Sequence, residues 1–145
     1  MKAEDKELLL KDLCARLPYG VKVKIVNENS AIESGTIVGM TRAQKHNTII
    51  YEDLICLSGI LTPFKLEEVR PYLRPFTINC MSKEEVAEFL MLNAQIKLPE
   101  DTDVESLLFF TRPAINWLKA NHFDYNCLIP RGLAVKFSKD DNPYK

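Results

Sequence analysis

The sequence offers little from which a reactive centre could be assembled. It has two histidines, one tryptophan and five glycines, and Gly20, Gly35, Gly39, Gly59 and Gly132 each stand alone. A loop that cradles phosphate needs glycines at close, fixed spacing so that the backbone can turn tightly against the ligand, and neither G-x-G-x-x-G nor a P-loop occurs. The four cysteines, Cys14, Cys56, Cys80 and Cys127, are widely separated with no C-x-x-C. That spacing gives neither structural zinc nor thioredoxin-like redox chemistry a foothold, so no metal and no cofactor are expected. Long apolar runs are missing too, since nothing approaches the roughly 18 residues of a membrane span. The opening stretch MKAEDKELLLKDL has acids where an export signal carries basic residues and then a long apolar run. A cytoplasmic chain with reduced thiols and no membrane partner is expected, with Cys14 in the core on the apolar side of a first helix.

An excess of charge of one sign is also absent: the formal net charge is -1, which gives no global attraction to nucleic acid or anionic lipid. The charges are unevenly placed, however. Residues 76–110 hold two Lys against seven Asp/Glu, and residues 111–145 hold six Lys/Arg against three Asp. With 145 residues, 46% of them hydrophobic, the chain has the composition and length of one ordinary globular domain. The expectation is a single compact domain over 1–145, with a β-rich part at 1–75 and a helical part at 76–145.

Periodicity supplies the elements. Leu9, Leu10, Leu13 and Leu17 make one apolar face of a helix over about 4–16, which Pro18-Tyr19-Gly20 ends. Val21 to Val26 alternates apolar and basic residues, as a strand does with Lys22 and Lys24 outside. Strands are expected at Gly35–Thr41 and Thr48–Leu54 around a polar loop Arg42–Asn47, with a fourth near Ile55–Thr62. Pro63, Pro71 and Pro75 argue against a long regular element over 63–76, which reads as a short helical turn or edge strand followed by an extended connector. Ser82 and Glu85 form a capping box for a helix to about Ile96, and Thr102 with Glu105 repeats the device before Leu107 to Phe110. Pro113 suits the start of a helix carrying Ile115, Trp117 and Leu118. Asp124 is expected to cap a short helix to about Arg131, stopped by Gly132, and Leu133–Phe137 reads as a final strand. Ser138–Lys145 is polar and expected to be loose. The fold class is therefore α+β: an N-terminal helix, a small curled antiparallel sheet or SH3-like barrel, then a helical C-terminal half.

Four groups of residues are candidates for function. His122, Asp124, Tyr125 and Cys127 in HFDYNC pair a base with an acid and a thiol. Catalytic partners usually meet in space rather than in sequence, so a helix cap with Phe123 and Cys127 in the core is the preferred reading, and no enzyme is expected. Lys22, Lys24, Arg42 and Lys45, beside His46, could meet nucleic acid, although no aromatic array is interleaved with them. The order helix, turn, helix, strand over Pro113–Phe137 is compatible with a helix-turn-helix. Its second helix offers only Asn126 and Arg131 to bases, and Pro130 interrupts it. Glu84, Glu85 and Glu88 mark an acidic helix face for a protein partner, and Phe109, Phe110, Trp117 and Phe123 are core or interface according to their burial. The leading expectation is an adaptor that binds another protein, and the alternative is a nucleic-acid-binding module.

Three stretches, LLLKDLCARLPYGVKVKI (8–25), PYLRP (71–75) followed by Met81-Ser82, and WLKANHFDYNCLIPRGLAVK (117–136), together carry a resemblance. The chain resembles a family of short uncharacterised proteins from gut anaerobic bacteria, often met in prophage-like or mobile regions, and departs from its usual pattern at Cys127 and Pro130. The resemblance implies a bacterial or phage cytoplasmic setting and brings no activity and no functional residues with it.

Overall fold

Leu9 and Leu13, one helical turn apart, make the first contact of the fold: both are wholly buried on α1 (Ala3–Arg16). The computed structural model describes residues 1–45, 51–93 and 110–145, with Ile78 as backbone only. After α1 a 3-10 turn at Leu17–Tyr19 leads to Gly20, whose φ of 68° is the left-handed conformation that suits glycine at a helix end.

Seven strands follow: β1 (Lys22–Ile25), β2 (Ser34–Gln44), β3 (Tyr51–Leu57), β4 (Phe64–Lys65), β5 (Val69–Pro75), β6 (Phe123–Asp124) and β7 (Val135–Lys136). They lie in the order β4-β3-β2-β1-β5-β6, with β7 also on β5. The ends of that path do not pair among the described residues, so the sheet is open and does not close into an SH3-like barrel. It is also mixed: β5 is antiparallel to β1 and parallel to both β6 and β7. The alternation read from the first strand holds, with Val21, Val23 and Ile25 buried beneath α1 and Lys24 exposed.

Three strand expectations need correction. β2 continues through Arg42 to Gln44, because Thr41–Gln44 keep pairing with Tyr51–Leu54, so Arg42 stands on a strand rather than in a loop. Ile55–Leu57 belong to β3, and the chain turns at Gly59 (φ 74°) instead of running on as a fourth strand. Residues 46–50, with His46, lie outside the described set. The larger correction is β5, a seven-residue strand where an extended connector was expected, although the short helical turn expected before it is present at Leu66–Glu68. Val26 N–H donates to Glu68 O, which makes that pair a hydrogen-bonding one. By alternation Pro71, opposite Val23, then falls at a position that owes β1 no hydrogen bond, and its missing amide costs that ladder nothing.

The core has two parts. Beneath the sheet, Leu9, Leu13, Val23, Ile37, Ile55 and Leu73 pack together with Leu128 and Leu133 from the far end of the sequence. The second part gathers Phe89 of α2 (Lys83–Asn93), Ala114 and Leu118 of α3 (Arg112–Ala120), Met81 and Phe123. The capping box of α2 is formed: Ser82 N–H donates to Glu85 Oε1 at 3.0 Å and Glu85 N–H to Ser82 Oγ at 3.1 Å. α3 starts one residue before Pro113 and is capped by Thr111, whose Oγ1 accepts from Ala114 N–H. The second expected box, Thr102 with Glu105, and Leu107 to Phe109 lie outside the described residues.

Residues 124–131 are not a helix. Asp124 caps a turn: its two carboxylate oxygens accept Leu128 N–H and Ile129 N–H, each at 2.8 Å. Cys127 is left-handed (φ 58°) and exposed rather than in the core. Without a second helix there is no helix-turn-helix here. Cys14 is exposed as well, with its thiol 3.4 Å from Met40 Sδ. The segment expected to be loose is tied down at Tyr144, which is hydrogen-bonded to β1 and β5.

Candidate functional site

The residues of HFDYNC surround a buried ion pair that the first helix brings to them. Asp12 and Arg16, four apart on α1, share its face with Leu9 and Leu13, and both side chains are fully shielded from solvent. Arg16 Nε donates to Asp12 Oδ2 at 2.7 Å, and its Nη2 donates to Asp12 Oδ1 and to Phe123 O. Asn126 donates to the same Asp12 carboxylate at 2.8 Å, and the guanidinium lies 5.0 Å from the Tyr125 ring centre. Burial penalises two charges heavily unless their hydrogen bonds are satisfied, and here four donors and acceptors from two distant segments converge. Arg16 Nη1 and, within HFDYNC, His122 Nδ1 find no hydrogen-bond partner among the described residues.

The four candidate residues point to different tasks. Asp124 spends both oxygens on the turn; burial pushes its pKa up, against the opposing pull of those two amides and of Arg16. His122, also left-handed (φ 61°), lies flat on the Tyr144 ring, 3.5 Å between centres. Burial, then the positive charges of Arg16 and Arg74, pull its pKa down to about 4, so the imidazole is neutral at ordinary pH. Burial likewise pushes the Tyr125 hydroxyl up. Cys127 faces outward, and among the described residues no hydrogen bond joins it to His122 or Asp124.

What the turn does build is a cleft of about 440 Å³, walled by Phe76, Phe110, Tyr125, Cys127, Ile129 and Pro130. Phe76 is its keystone: its ring meets Phe89, Phe110 and Phe123 edge-on at 5.4, 5.8 and 5.9 Å. Arg74 braces the Phe123 ring on which Phe76 packs. Its guanidinium sits 4.3 Å from the Phe123 ring centre, and it donates to both oxygens of Glu85 and to Cys80 O. The pairing holds the Glu85 carboxyl below its usual pKa.

The remaining candidates divide. Glu85 is a structural residue, engaged by Ser82 and Arg74, while Glu84 and Glu88 are exposed on α2 in line with Met91, itself 80% exposed. Phe110, Trp117 and Phe123 all pack in the second core. The basic set does not form one patch. Lys22 Nζ donates to Pro143 O, Arg42 pairs with Asp53 at 3.0 Å, and Lys45 lines a hollow with Lys6, Lys65, Glu52 and Glu67. Within that hollow Lys6 is paired with Glu67, whose pKa it holds down. Arg131, offered as a base reader, pairs with Asp5.

Sequence reasoning missed Asp12, Arg16, Phe76 and Tyr144. The ion pair had a readable signal: an acid and a base at the i+3 and i+7 positions of the Leu9 stripe, where apolar residues belong. Among the described residues no three His, Cys, Asp or Glu are placed to hold a metal, and no helix is long and apolar enough to cross a membrane. Fold and site together define an α+β chain with an open mixed sheet and an aromatic cleft. No protein-family model, no curated protein and no solved structure matches it.

Proposed function

We propose that this chain is a non-enzymatic adaptor that holds an apolar segment of a protein partner in the Phe76–Phe110–Pro130 cleft, in a bacterial or phage cytoplasm. The observation that carries the reading is the character of the cleft: open, aromatic, and with its one carboxylate already committed to Leu128 and Ile129. Aromatic and proline walls offer contact area at small entropic cost, which is what an anchor side chain requires. Elsewhere on the surface Glu84 and Glu88 are exposed on α2, and their charge favours a partner that carries basic residues.

The test compares captures from lysate of the source organism by wild type and by Pro130→Asp and Thr77→Lys, with and without nuclease. Thr77 and Pro130 both line the cleft, so each substitution puts charge into its wall, and circular dichroism checks that each variant is folded. A protein captured by wild type despite nuclease, and lost from both variants, is the expected result. Capture that vanishes with nuclease and falls steeply with salt, with the cleft variants unaffected, would transfer the function to nucleic acid and to Lys22, Lys24, Arg42 and Lys45, because phosphate contacts release counterions.

A further inference from the structure

The paired register of β1 and β5 ends at Val23 opposite Pro71, and its next step would set Lys22 against Tyr72. That position is a hydrogen-bonding one by alternation from Val26 and Glu68. A side chain takes its place in the ladder. Lys22 N–H donates to the Tyr144 hydroxyl at 3.1 Å, and that hydroxyl donates on to Tyr72 O at 2.9 Å. The ring below the hydroxyl is held on one face by the His122 imidazole, nearly parallel at 9°, and flanked by Phe137 at 5.5 Å. Each part of this seat reads a different property of a phenol. The backbone pair asks for one group that accepts and donates at once, and the two rings ask for a flat aromatic body. Burial raises the Tyr144 pKa to about 12, so the hydroxyl keeps the proton it donates.

The hook that delivers Tyr144 is lightly fastened. Ser138–Asp141 is exposed, and its side-chain hydrogen bonds run from Ser138 to Asp141, within the segment itself. Beyond it, among the described residues, the hydrogen bonds that fasten the hook to the sheet are Lys22 Nζ to Pro143 O at 2.7 Å and those of the Tyr144 hydroxyl.

We propose that the splayed end of the β1–β5 ladder is a phenol socket, filled in cis by Tyr144, which accepts a tyrosine side chain of another polypeptide when the hook lifts away. The socket lies apart from the aromatic cleft and does not rest on the adaptor reading.

The probe is p-cresol, the side chain of tyrosine as a free molecule, with toluene as its control. Both are titrated by NMR into the full chain carrying Tyr144→Ala. Expected is saturable binding of p-cresol, with shifts at the Lys22 amide and the His122 ring, at least about tenfold tighter than toluene, as loss of a hydrogen-bonded pair predicts. Equal binding of the two, binding elsewhere, or no binding by a folded variant would overturn the proposal. Should Tyr144→Ala fail to fold, Tyr144→Phe decides, because it keeps the ring and deletes the hydroxyl. Exchange of the Lys22 amide about tenfold faster than in wild type, with Val23 and Ile25 unchanged, supports the socket. Unchanged exchange at Lys22 overturns it.

Discussion

Arg16 joins α1 to the segment at 123–126, directly at Phe123 and, through Asp12, at Asn126. Arg16→Ala leaves the Asp12 carboxylate buried without its partner and is expected to cost about 3–5 kcal/mol in urea unfolding. The double change Asp12→Leu, Arg16→Met is expected to cost less than either single loss, because it removes both charges and fills the space. His122 makes a prediction in pH. Its folded pKa of about 4 lies below the unfolded 6.5, so the unfolded chain takes up the proton first. The stability it contributes is whole above about pH 6.5 and is lost as the pH falls from there through 4. Two cations face the ring, Arg16 from α1 and Arg74 from β5, and Tyr144 covers it. An NMR titration of the His122 ring should show the depressed midpoint, and His122→Phe should remove its share of the acid sensitivity. None of this was legible from HFDYNC, because Arg16 and Tyr144, which set the histidine's surroundings, are remote from it in the chain.

The capping box of α2 is a local signal that behaves as the sequence implies. Ser82→Ala should lower stability by about 1 kcal/mol, read in thermal or urea unfolding, since one amide of the first turn loses its acceptor. Gly35 on β2 tests packing between strands instead. A Cβ there would stand 2.9 Å from Leu57 Cδ1, and Leu57 is itself buried in the core. Gly35→Ala is expected to destabilise by about 1–3 kcal/mol, and the added change Leu57→Val should recover part of that. β5 escaped the sequence reading because proline is a reliable breaker only where its amide is needed. Pro71 sits where the neighbouring ladder asks nothing of it, and only the register of a strand some 45 positions earlier reveals that. Asp124 misled for a related reason: a carboxylate that accepts two amides looks the same in sequence whether a helix or a tight turn follows.

For the molecule as a whole, the α+β class could be read from periodicity, whereas the cleft could not. Its walls come from residues 75–77, 110 and 124–130, which meet only because β6 lies beside β5. The halves drawn at residue 75 are likewise stitched together, with Leu128 and Leu133 in the core beneath the sheet and Asn126 bonded to α1. β5 takes β1 on one edge and both β6 and β7 on the other, and its partners on that second edge lie some 50–60 residues further along the sequence. During synthesis the amino end emerges first, so α1 and β1 to β5 can assemble while one side of β5 still lacks its neighbours. Until residues 122–137 leave the ribosome, that strand has bare amides and carbonyls and Asp12 and Arg16 lack Phe123 and Asn126. The nascent chain therefore passes through a stage at which a chaperone, or a second nascent copy, can take the edge that β6 and β7 later close.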